Sequence, residues 1–255
     1  MSKAFKHGLC AYCCQAEAST ADHVIARGFF PEDLRGYLPK VGACKNCNSQ
    51  KSKLEHTLTS VMPFGARHGR ATEALMAAER MLARNQRLHR LLAAGLRRAF
   101  RSNNESPWFP EMTVPFDSRA MEDLGEFVVK GLARHHWGLD IGPDMFVRAS
   151  FLRPEGANAF DRFFAGQAKD RVACDLGQGV FRYEGVQSLE SASLTLWKMS
   201  IYGAEVGGDP TAPGHRVSMM YGLTVSKNSR AAELLAEVLG ASQGAASQPT
   251  IKEEC

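Results

Sequence analysis

Cys10-Ala11-Tyr12-Cys13, Asp22-His23-Val24-Ile25 and Cys44-Lys45-Asn46-Cys47-Asn48-Ser49-Gln50-Lys51 follow one another at the start of a 255-residue chain. Two C-x2-C pairs separated by 30 residues suit a tetrahedral zinc site. Each pair presents two thiolates on one tight turn, and the intervening loop brings the pairs together. A structural Zn²⁺ would stabilise a module too small to fold on a hydrophobic core alone. The bland alternative, four ordinary buried cysteines, leaves the paired spacing without a reason. Cys14 adjoins the first pair and keeps a less usual C-x3-C register with Cys10 open, whereas Cys174 and Cys255 stand alone.

The residues between and after the cysteine pairs add a second chemistry. Asp22-His23 comes nine residues after Cys13, Asn48 directly follows Cys47, and Lys51, Lys53 and His56 lie further along the same predicted helix. Asp and Asn oxygens are hard donors that suit Mg²⁺ or Mn²⁺ rather than zinc. One such cation beside a histidine is an economical set for cleaving a phosphodiester: the histidine deprotonates a water and the metal stabilises the developing charge. Asn48 equally suits a helix cap, and the two roles are compatible. His56, about two turns beyond Asn48, is an alternative or additional ligand. Arg27 is a candidate for stabilising transition-state charge. Lys51 and Lys53 are candidate phosphate contacts within two turns of Asn48.

Taken together, C-x2-C, Asp-His and C-x2-C-N-x2-K over about residues 8–60 resemble the HNH endonucleases of the ββα-metal (His-Me finger) superfamily, in the subgroup clasped by a four-cysteine zinc site. The resemblance implies two strands followed by a helix that opens near Asn46–Ser49. It makes His23 the general base and Asp22 and Asn48 the ligands of a catalytic divalent cation. Cys10, Cys13, Cys44 and Cys47 become the structural zinc site. The implied activity is hydrolysis of DNA phosphodiester bonds, with RNA not excluded. The sequence departs from the family at Ala26, where many members have Pro. It also lacks an Asn between Tyr37 and Ala43, and carries an insert-like loop from Gly28 to Arg35.

Charge follows the same division. Residues 1–102 hold 17 Lys+Arg against 7 Asp+Glu, and residues 103–255 hold 14 against 20, so the net +4 is +10 beside −6. Such asymmetry points the first part toward a polyanion. A basic helix is expected over 71–101, with an apolar stripe from Leu75 to Phe100 and an arginine face that includes Arg80, Arg84 and Arg87 as nucleic-acid contacts. A solvated helix face is the plainer reading of the same arginines.

The expected class is α+β: a small zinc-stabilised ββα-metal module, long helices and a mixed α/β C-terminal domain. The module covers 1–65, the basic helical connection 66–101, a Pro-rich linker 102–118, an α+β domain of open role 119–240, and a disordered tail 241–255. Within the domain, helices are expected at 118–136, 157–166 and 229–239, and strands at 144–151, 179–183, 193–203 and 216–226. No stretch approaches the roughly 20 apolar residues of a membrane span, and the N-terminus lacks a signal-peptide core, so a cytoplasmic protein is expected. A homodimer is compatible with the sequence. The reading from another functional class is a non-catalytic, zinc-dependent nucleic-acid-binding protein.

Overall fold

The computed structural model describes residues 5, 8–65, 69–103, 106–113, 117–166, 170–203, 206–207, 216–217 and 219–229. The architecture is α+β. Strand β1 (Thr20–His23) pairs antiparallel with β2 (Lys40–Ala43), placing His23 opposite Lys40 and Asp22 opposite Val41. Helix α1 (Lys45–Val61) follows after one residue. This is the expected ββα order. Cys47, Lys51 and Leu58, four and then seven residues apart along α1, are buried and share its inner face.

The expected helix over 71–101 is instead three elements: α2 (Ala71–Arg84), α3 (Gln86–Gly95) and strand β3 (Arg97–Asn103). Asn85 makes the break. Its backbone leaves the helical region, and its side-chain oxygen accepts from the backbone N–H of Leu88, capping a new helix. The expected linker holds strand β4 (Ser106–Thr113), paired antiparallel with β3. Pro107 and Pro110 are compatible with β4 because this ribbon has two strands only, leaving each an outer edge that needs no N–H donor.

Helix α4 (Ser118–Trp137) starts at Asp117, whose carboxylate accepts from the Ala120 N–H, and ends at Gly138 in a left-handed conformation. Then come β5 (Met145–Phe151), α5 (Pro154–Gly166), β6 (Asp170–Leu176), β7 (Phe181–Gln187), β8 (Thr195–Ile201), the two-residue ribbon β9 (Val206–Gly207) with β10 (Arg216–Val217), and β11 (Met220–Ser226). Five of them form one antiparallel sheet in the order β5-β11-β8-β7-β6. β6 was not anticipated: Asp170, Arg171, Ala173 and Asp175 dilute its apolar alternation. The expected helix beyond Ser229 and the 241–255 tail lie outside the described residues.

One buried core runs from Cys10 through Leu58 and Leu132 to Trp197 and Met220. Helix α4 is its spine. A Cβ on Gly125 would lie 2.7 Å from Ala149 and Met220 of the sheet, and one on Gly131 would lie 2.7 Å from Val24, next to His23. Glycine at both positions lets one helix approach both halves closely. The insert-like loop locks them further. Phe29 and Phe30 are buried, Phe29 meets the Tyr202 ring edge-on at 6.1 Å, and the Tyr202 hydroxyl donates to the Phe29 carbonyl.

Candidate functional site

The four cysteines converge. The sulfurs of Cys10, Cys13, Cys44 and Cys47 all lie within 4.8 Å of one another, the only such group of His, Cys, Asp or Glu ligands among the described residues. Local backbone builds each half. The Tyr12 N–H donates to the Cys10 sulfur at 3.4 Å, and the Cys47 N–H donates to the sulfur of Cys44, the N-cap of α1, at 3.5 Å. Burial raises the Cys13 thiol, but the backbone N–H groups of Gln15 and Ala16 and the neighbouring thiols outweigh it and bring it down to about 7. Cys47 moves the other way: burial and the crowding of Cys44, Cys10 and Cys13 push it well above an ordinary thiol. Four thiolates this close repel one another unless a cation sits among them, so the donor set fits a structural metal such as zinc. Cys14 stands outside the clasp, its backbone in a left-handed conformation and its thiol 3.8 Å from Asp140.

Next to the clasp lies a buried polar cluster. The Lys51 ammonium is fully buried, 2.9 Å from Asp22 Oδ2 and 2.7 Å from the His23 carbonyl, and it also pairs with Glu55. Tyr12 donates its hydroxyl to the same Oδ2, and its ring faces Lys51 at 5.9 Å. Burial and then the Asp22 charge hold the Tyr12 phenol far above its ordinary value, so it stays a donor. Burial raises Glu55 despite the pull of Lys51. Lys51 is therefore not the surface phosphate contact that its place in the sequence suggests: an ammonium taken out of water needs these carboxylates and keeps them.

Asn48 joins the same face. Its amide Nδ2 donates to Thr20 Oγ1 at 3.2 Å, two residues from Asp22 on β1, and Thr20 donates onward to the Ala43 carbonyl at 3.0 Å. Thr20, Asp22, Asn48 and Lys51 thus line the seam between β1 and α1. His23, next along β1, alternates to the other side. It is half-buried, with Lys40 opposite it across the strand pair and the exposed Arg27 four residues on. Burial, followed by those two cations, lowers its basicity, so the imidazole is neutral at neutral pH.

The other expected residues divide. His56 is exposed and lies in a groove between α1 and α2 with Arg80 and Arg84. Two guanidiniums make that a poor place for a metal ligand. Lys53 is exposed in a second groove, against α4, among Asp123, Glu126 and Lys130. Arg87 is exposed on α3. Sequence reasoning missed Tyr12, Glu55 and Lys40. The i,i+4 spacing of Lys51 and Glu55 was a usable sign of a pair, and Lys40 needed the strand register. Comparison of the chain with known protein families, curated proteins and solved structures gives no match. Among the described residues no helix is long and apolar enough to cross a membrane.

Proposed function

We propose that the protein is an HNH-type endonuclease that hydrolyses DNA phosphodiester bonds. The observation that carries this reading is the ββα unit that sets Asp22-His23 at the end of β1, with Asn48 on the first turn of α1 beside the four-cysteine clasp. In this reading neutral His23 takes the proton of an attacking water, as a general base near its working pH must. Arg27 and Lys40, the cations that depress His23, draw the phosphate toward it. The clasp holds the start of α1 and so fixes Asn48 against β1.

The donors for a catalytic Mg²⁺ or Mn²⁺ are Asp22 and Asn48. Asp22 Oδ1 has no hydrogen bond among the described residues, and the side chain keeps 11% of its surface exposed. The Asn48 side-chain oxygen is likewise unengaged there. Two hard oxygens of this kind suit such a cation. When bound, it would offset negative charge developing on the phosphate oxygens. Incubating plasmid DNA with the zinc-loaded protein and Mg²⁺ or Mn²⁺ tests the reading: cleavage is expected, and His23→Ala abolishes it. Undiminished cleavage in that variant sinks the role of His23.

A specific feature favours the second reading, a zinc-dependent nucleic-acid-binding protein without catalysis. Lys51 and Tyr12 already engage Asp22 Oδ2, which lowers its appeal to a second cation. DNA binding that survives Asp22→Ala, with no cleavage by the parent protein in either metal, selects this reading.

A further inference from the structure

The open groove between α1 and α2 has a volume of about 710 Å³ and is lined by His56 of α1, Ala77, Arg80, Met81 and Arg84 of α2, Asn85 beyond it, and Glu32 of the insert-like loop. Its lining combines the apolar Ala77 and Met81 with two guanidiniums and one acid. Ala77, Arg80, Met81 and Arg84 follow at three- and four-residue spacing, so one stripe of α2 supplies both guanidiniums. Met81 anchors that stripe: its sulfur lies 3.3 Å from Ser60 Oγ and 3.9 Å from Thr59 Oγ1 on α1. The acid on the rim, Glu32, is 92% exposed and answers to Arg35 at 3.8 Å. The other acids near the start of α2 are taken by Arg70, which pairs with Asp33 and Glu73. Among the described residues Arg80 and Arg84 have no acidic partner.

The groove is connected to the His23 strand through the insert-like loop, whose Glu32 lines it. Arg27 immediately precedes that loop and Glu32 lies within it, five residues on, a span of at most roughly 18 Å. Gly28 presses that loop on α1, where a Cβ would lie 3.0 Å from the Thr59 methyl group. Arg27 therefore lies within that span of Glu32, a residue of the groove that also holds Arg80 and Arg84.

We propose that this groove holds backbone phosphates of the nucleic acid on one side of the cleavage point. Arg80 and Arg84 grip them in the forked geometry that guanidinium offers to phosphate, and the exposed His56 is an added donor. The proposal rests on the nuclease reading only for the direction of the strand; the phosphate grip itself does not require cleavage.

The test uses full-length, zinc-loaded protein carrying His23→Ala and a fluorescent 25-base-pair duplex, without added divalent metal. Binding is followed by anisotropy over a range of salt. Arg80→Gln with Arg84→Gln should weaken binding at least tenfold and flatten the log–log salt slope by about two, since each phosphate contact contributes about 0.9. Arg90→Gln, on α3 and bonded to the Gln86 carbonyl, should change neither. Unchanged affinity and slope in the double variant overturn the proposal. So does an equal loss in Arg90→Gln, which would reveal diffuse attraction, or saturation of the groove by millimolar inorganic phosphate with duplex binding intact. Cleavage by the parent is scored separately. A lost grip without any parental cleavage removes the nuclease reading and keeps the groove, and cleavage with an unaffected grip does the reverse.

Discussion

The ββα unit and the five-stranded sheet are held by different means. In the first, two short strands and one helix close around four sulfurs and a buried lysine with two carboxylates. In the second, rings do the same work. Trp197, fully buried, meets Trp137 at 4.8 Å in a tilted arrangement and lies near Tyr183 and His136, and Gly185 makes room for it, a Cβ there falling 2.4 Å from the indole. A four-residue strand pair buries too little apolar surface to order itself, so it relies on strong, few and directional contacts. The sheet buries enough to rely on many weak ones. Directional contacts also place side chains accurately, which is where a reactive site belongs.

The largest expected effect breaks the first half of this contrast. Chelating zinc, or Cys44→Ser, should cost several kcal/mol of a total stability of about 5–15 kcal/mol, because metal binding is folding energy in so small a unit. Since α4 joins both halves in one core, far-ultraviolet circular dichroism and tryptophan fluorescence should melt together. Two separated transitions would show that the sheet stands without the clasp.

Lys51→Met comes next. It leaves Asp22 and Glu55 facing each other in a buried site, and a loss of about 3–5 kcal/mol in urea unfolding is expected. A loss under 1 kcal/mol would mean that water enters the cluster and that the contrast with the sheet is overdrawn.

Gly131→Ala probes the contact between the halves. The new methyl group meets Val24 at 2.7 Å, and overpacking of this kind costs about 1–3 kcal/mol. If cleavage is found, this variant should also lower it, because Val24 follows His23.

The smallest effect lies in the sheet half. His136 hydrogen-bonds the Tyr183 hydroxyl at 2.9 Å, and burial, with His135 beside it, depresses its basicity. A histidine whose folded value is lowered favours the folded state while neutral. That stability is complete above the unfolded value of about 6.5 and is lost as pH falls from there through the lower folded value. The melting temperature should therefore drop more between pH 7 and 5 in the parent than in His136→Gln, and equal drops would remove His136 as the cause.

Much of the site was legible because its signals are local. Paired cysteines at fixed spacing, Asp beside His, and Asn after the last cysteine are each a few residues long, and the strands and helix formed around them in the expected order. The strand pair of 97–103 with 106–113 was not legible. Arg97, Arg98 and Leu96 continue a helical pattern, and only the pairing with Ser106–Thr113 makes that stretch a strand. Asn85 carried a readable cap signal that the longer apolar stripe masked.

The sequence by itself determined the clasp, the ββα order and the basic first half, because those depend on residue type and short spacing. Tertiary structure decided what the charges do. Lys51, Lys53, Arg80 and Arg84 look alike as letters, yet Lys51 is sealed against Asp22 and Glu55, Lys53 faces acids of α4, and Arg80 and Arg84 line an open groove. The free energy of a charge is set by the water and counter-charge around it, and those come from elements far along the chain.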